Sequence, residues 1–115
     1  MSKKTNGFSG LMESFFQRFV PDEVQGGKGR FGYDASNPIP VAGIQGEYLY
    51  LSRLKTEAGE RLFYRHNGSC YAANSVNELD RFILTNAGGT VVCELYLDKF
   101  HVGNSQKAPK GLLLD

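Results

Sequence analysis

Residues 47–55 read Glu-Tyr-Leu-Tyr-Leu-Ser-Arg-Leu-Lys, and the fold turns on whether they run as strand or helix. As a strand, Tyr48, Tyr50, Ser52 and Leu54 share one side and Leu49, Leu51 and Arg53 the other. As a helix, Ile44, Tyr48, Leu51 and Leu54 or Lys55 form a stripe. Tyrosine enrichment and the turn-like Thr56-Glu57-Ala58-Gly59 that follows favour the strand. Residues 61–66 then return antiparallel and close at Asn67-Gly68, a strong turn dipeptide.

Further along, residues 79–85 and 90–97 are rich in strand formers and flank Asn86-Ala87-Gly88-Gly89, a loop with two positions that accept positive φ. On the second of these strands Val91, Cys93, Leu95 and Leu97 share one face, which reads as core. Val92, Glu94, Tyr96 and Asp98 share the other, which reads as half wet. Between the two strand pairs, residues 70–77 are small and polar and predict an irregular connection. Leu112, Leu113 and Leu114 form an apolar tail suited to a short edge strand or to packing under a helix.

Upstream, Phe8, Leu11, Met12, Phe15, Phe16 and Phe19 recur at three- and four-residue spacing, the mark of an amphipathic helix. Ser9 is its candidate N-cap and Pro21 stops it. Residues 1–7 have nothing to bury and predict a flexible N-terminus, ahead of one domain over residues 8–115. The expected fold is therefore α+β: an N-terminal amphipathic helix packed on an antiparallel four- to five-stranded meander sheet. Phe15, Phe16 and Phe19 would meet sheet residues such as Leu51, Leu62, Ile83 and Leu95.

A chain of 115 residues can bury roughly two-thirds of its unfolded surface, enough for a core without staples. Its formal net charge of +1 provides no global field to attract nucleic acid or an anionic membrane, so any such partner needs a local patch. Glu13 and Arg18 interrupt the first apolar run, so neither a signal peptide nor a membrane span is expected, and a cytoplasmic setting is the default. There, Cys70 and Cys93 read as reduced thiols.

One stretch interleaves basic, aromatic and glycine residues: Lys28-Gly29-Arg30-Phe31-Gly32-Tyr33, followed by Asp34. Cations for phosphates and rings for base stacking are the ingredients of a single-strand nucleic-acid platform. Over these six residues the run resembles the basic-Gly-aromatic-Gly-aromatic pattern of cold-shock and RNP-type motifs, with Arg30 inserted between Gly29 and Phe31. The alternative is a structural loop whose Phe31 and Tyr33 pack back on the domain. The glycines do not end in the Gly-Lys-Ser or Gly-Lys-Thr of a P-loop.

His66, Cys70, Cys93 and His101 make a Cys₂His₂ composition, but only the first pair is closely spaced, and no metal or other cofactor is expected. His66 and Cys70 flank the expected Asn67-Gly68 turn and form the one candidate reactive pair. Glu57, Glu60, Glu78 and Asp80 read as solvated charges. The function expected from this reading is a small non-enzymatic module binding an unknown protein partner. It would act through a sheet edge or through the loop carrying Lys28, Arg30, Phe31, Tyr33 and Asp34. Single-stranded nucleic-acid binding by the same loop is the alternative, and a small Cys/His-dependent enzyme the second.

Overall fold

The computed structural model describes residues 20–115. Seven elements follow in order: β1 (Ile39–Pro40), α1 (Gly43–Ser52), β2 (Leu54–Thr56), β3 (Phe63–Tyr71), β4 (Glu78–Thr85), β5 (Val91–Asp98) and β6 (Leu112–Leu114). A four-stranded sheet has the order β1-β5-β4-β3, and β2 pairs with β6 in a second, two-stranded sheet. The β4–β5 hairpin falls where its strand formers and glycine loop place it, with Phe82 opposite Leu95 and Leu84 opposite Cys93.

The expected α+β arrangement is corrected. The described residues are mostly sheet, 38% strand against 10% helix, and the one helix among them is α1, which spans most of the segment read as a strand. The expected N-terminal helix and flexible leader lie outside the described residues. Nor is the large sheet a pure antiparallel meander, because β1 joins β5 in parallel, with Ile39 opposite Leu97.

The departure from the expected strand lies in which stripe α1 buries. Glu47, Tyr50 and Leu51 are buried on the helix and Leu54 just beyond it, the i, i+3, i+4, i+7 pattern of one helical face. That face begins with a charged residue, so an apolar count misses it. Ile44, Tyr48 and Leu49 are exposed instead. Nor does α1 announce its start. Ala42 offers no capping side chain, no acid sits in the first turn, and Gly43 and Gly46 are poor helix formers.

The cap comes from far away. Asn104 accepts a hydrogen bond from the Ala42 N–H at 2.8 Å and donates to the Gly46 carbonyl at 2.9 Å. A side chain at position 46 would collide with the Asn104 amide, which explains glycine there. Packing and this borrowed cap, not propensity, therefore make the helix.

β3 also differs from expectation. It runs straight through Asn67-Gly68, where the register shifts between His66 and Ser69. Gly68, at φ +85°, supplies a bulge in place of a turn. Strand alternation then gives the large sheet two faces. Asp80, Phe82 and Leu84 of β4 lie with Cys93, Leu95 and Leu97 of β5 on the face that α1 covers. Tyr48 rests on Tyr64 and Phe82, with ring centroids 5.9 and 6.2 Å away. On the opposite face Arg81 and Ile83 meet Tyr96 and Glu94, all half-buried.

If Asn104 caps α1 as described, Asn104→Ala loses two hydrogen bonds at one helix end. It should cost about 1–3 kcal/mol, measured by denaturant unfolding, with the helical circular-dichroism signal weakened before the sheet melts.

Candidate functional site

The glycine-rich stretch folds into a closed loop. The Lys28 N–H donates to the Ser36 carbonyl at 2.9 Å and the Gly32 N–H to the Asn37 carbonyl at 2.8 Å. Asp34 accepts from the Arg30 N–H at 2.6 Å. Gly29 and Gly32 sit at φ +93° and +82°, a region closed to most side chains. At the base, buried Asn37 donates to the Gly29 carbonyl at 3.1 Å and to Glu23 at 3.2 Å.

This loop sends Phe31 into the core, 8% exposed, and leaves Tyr33 partly buried against it. Arg30 remains outside with its guanidinium 5.3 Å from the Tyr33 ring centre. A second wall comes from residues 107–110. Tyr50 of α1 donates its hydroxyl to the Lys107 carbonyl at 2.5 Å, and Tyr33 donates to the Lys110 carbonyl at 2.6 Å. Two tyrosines thus hold both ends of the segment, with Pro109 buried between them. Burial pushes the Tyr33 and Tyr50 phenols above their ordinary pKa, so both keep the proton that the bond needs.

Between the walls lies a groove of about 450 Å³ lined by Arg30, Phe31, Tyr33, Lys107, Ala108 and Lys110. Lys107 stands 5.1 Å above the Phe31 ring and pairs with Glu23. Their hydrogen bond, reinforced by the one from Asn37, lowers the Glu23 pKa. Of the residues singled out in the sequence, the structure brings Arg30, Phe31 and Tyr33 together on this groove. Lys28 stays at the loop neck and Asp34 turns back onto Arg30. Lys107 and Lys110 were not anticipated, since only the fold brings them beside the loop, 77 residues from Tyr33 in the case of Lys110.

No protein-family model, curated protein or solved structure matches the chain.

The structure separates the candidate pair His66 and Cys70. His66 lies opposite Phe82 and Cys70 opposite Leu79, three residues apart on β4, so the bulge puts them on opposite faces of the sheet. Burial raises the Cys70 pKa and pushes Cys93 up to about 11, which disfavours the reactive thiolate at both. Cys93 faces the core beside Leu84, away from Cys70, and both thiols are free. Among the described residues, no three His, Cys, Asp or Glu side chains are placed to ligate a metal ion.

His66 has another partner. Its Nε2 lies 3.2 Å from Asp80 Oδ1, and its ring packs edge-on to Phe82 at 5.3 Å. Lys99 donates to Asp80 Oδ2 at 2.8 Å, and Glu47 of α1 stands beside the same carboxylate. The four line a shallow groove of about 300 Å³ with Ile44 and Tyr48. Asp80, expected as a solvated charge, is only 6% exposed, and Glu47 only 2%. The signal for Glu47 was the 47-50-51-54 spacing, visible only when a charged residue is allowed on the core stripe.

Two substitutions separate the structural from the surface role of the loop. Phe31→Ala should destabilise by about 3–5 kcal/mol, as a core phenylalanine does. Tyr33→Phe keeps the ring and loses one hydrogen bond, at about 0.5–1.5 kcal/mol. Thermal and urea unfolding of both variants measures the difference.

Proposed function

We propose that this chain is a non-enzymatic binding module and that the groove between the residue 28–34 loop and residues 107–110 holds an acidic segment of a protein partner. The observation that carries this reading is the Tyr33–Lys110 hydrogen bond, which joins two basic segments distant in sequence into one concave surface. Its floor is aromatic and aliphatic, from Phe31, Tyr33 and Ala108, and its rim is cationic, from Arg30, Lys107 and Lys110. Arg30 has a side chain 74% exposed and a long 3.5 Å contact to Asp34, so a partner carboxylate can replace Asp34 and take two parallel hydrogen bonds. Lys110 forms no ion pair among the described residues.

The same geometry weighs against single-stranded nucleic acid. Base stacking needs free ring faces, whereas Phe31 is buried beneath Lys107 and Tyr33 lies under Arg30. The sheet edge is the weaker route to a protein partner, because the bulge interrupts β3 midway and such bulges discourage strand addition. A Cys/His enzyme is disfavoured by the separation of His66 and Cys70. A cytoplasmic setting suits the two free thiols. No helix among the described residues is long and apolar enough to cross a membrane.

Fluorescence anisotropy with a labelled peptide rich in Asp and Glu tests the proposal, with a short oligothymidine as comparison. The peptide should bind at low salt and weaken as salt rises. Arg30→Ala and Lys110→Ala should each reduce affinity by about five- to tenfold. No peptide binding, together with oligothymidine binding on a steep salt slope, would overturn it in favour of the nucleic-acid reading.

A further inference from the structure

The contact between α1 and the sheet buries two carboxyl groups against one another. Glu47 and Asp80 are 2% and 6% exposed, and among the described residues no donor satisfies the enclosed Glu47 Oε2. Two adjacent buried carboxylates repel, and an unpartnered buried charge is costly. Asp80 already accepts from Lys99 at 2.8 Å and faces His66 at 3.2 Å, which favours its charged form. Among the described residues Glu47 has no comparable cation, since Lys99 is committed to Asp80. A proton on Glu47 resolves both problems, because the protonated carboxyl becomes a donor to Asp80.

We propose that the seat of α1 on the sheet is a proton latch, in which Glu47 and Asp80 share one proton and its loss loosens the helix.

The direction of each group agrees with this arrangement. Burial, then the hydrogen bond and charge of Asp80, raise the Glu47 pKa from 4.5 to about 8. The hydrogen bonds from Glu47, Lys99 and His66 outweigh burial and lower that of Asp80. The bond to Asp80 raises the Lys99 pKa, so Lys99 stays charged throughout the neutral range. Among the described residues, the groups around Glu47 are thus Asp80 from β4, His66 from β3, Lys99 after β5, and its neighbour Tyr48 on α1. Glu78 acts on Lys99 at longer range.

The sign follows from linkage. A carboxyl whose pKa is raised on folding contributes stability that is fully present below its unfolded value and is lost as pH rises through its folded value. For Glu47 that window runs from about 4.5 to about 8. Asp80 has the opposite sign and weakens the fold only in acid, below its ordinary carboxylate range. The latch is therefore closed in mildly acidic solution and opens towards pH 8.

What opening exposes is set by the elements around it. Asn104 holds the first turn through Ala42 and Gly46, while Tyr50 and Leu51 anchor the far end in the core. Opening would loosen the helix between these two anchors, around Glu47 and Tyr48, and uncover Phe82 beneath Tyr48.

Amide hydrogen exchange of α1 from pH 5 to pH 9, corrected for intrinsic rates, tests the latch in wild type and Glu47→Gln. Wild-type protection of α1 should fall by up to about tenfold per pH unit within the window and level off above it. Glu47→Gln, with a neutral donor at every pH, should show a flat profile. Wild-type protection that does not change between pH 5 and 9, or an equal fall in Glu47→Gln, would overturn the proposal. Should Glu47→Gln fail to fold, the wild-type profile decides alone.

Discussion

The seating of α1 on the large sheet is the contact on which the rest of the molecule depends. Its ten residues hold two glycines, no capping side chain at the start and no acid in the first turn, so the helix has little stability of its own. Tyr50 and Leu51 supply the apolar part of the seat, entering the cluster with Phe82, Leu84, Leu95 and Leu97. Burying side chains of this size contributes roughly 1.5–3 kcal/mol each. Glu47 on Asp80 supplies the polar part, and it conditions the seat on protonation. Tyr50 then carries the position of α1 outward, since its hydroxyl holds the Lys107 carbonyl and with it one wall of the basic groove.

How much of this the sequence disclosed depends on where each element obtains its stability. The β4–β5 hairpin was legible because its signals are local: strand formers on both sides of a glycine loop, and alternation that sorts Cys93, Leu95 and Leu97 to one face. α1 was not legible because its determinants are distant. Its cap is Asn104, its partner for Glu47 is Asp80, and its buried stripe begins with an acid that a hydrophobicity pattern counts as solvent-facing. Asn67-Gly68 is a different case. The dipeptide does supply a positive φ, as its residues suggest, but the pairing of Ser69 with Asp80 makes it a bulge within one strand instead of a turn between two.

The candidate site divides in the same way. Arg30, Phe31 and Tyr33 were readable as an unusual local run, and they do gather at one groove. Their roles were not readable, since burial of Phe31 is set by the core and not by its neighbours in sequence. Lys107 and Lys110 lie in a segment with no motif, and the two tyrosine hydroxyls help to bring them to the site. His66 and Cys70 illustrate the reverse error, in which nearness along the chain suggested a pair that one extra residue in β3 places on opposite faces. The same residue shift leaves His66 on the face of Asp80, where its chemistry is that of a hydrogen-bonded network.

Carboxyl carbon NMR of Glu47 in the intact chain tests the central claim most directly, because it reads the shared proton at the helix seat itself. A Glu47 carboxyl that titrates near pH 8, well apart from the other glutamates, is the result this account predicts. Titration near its unperturbed value of 4.5 would mean that Glu47 is ionised and solvated at neutral pH. The seat of α1 would then hold no shared proton.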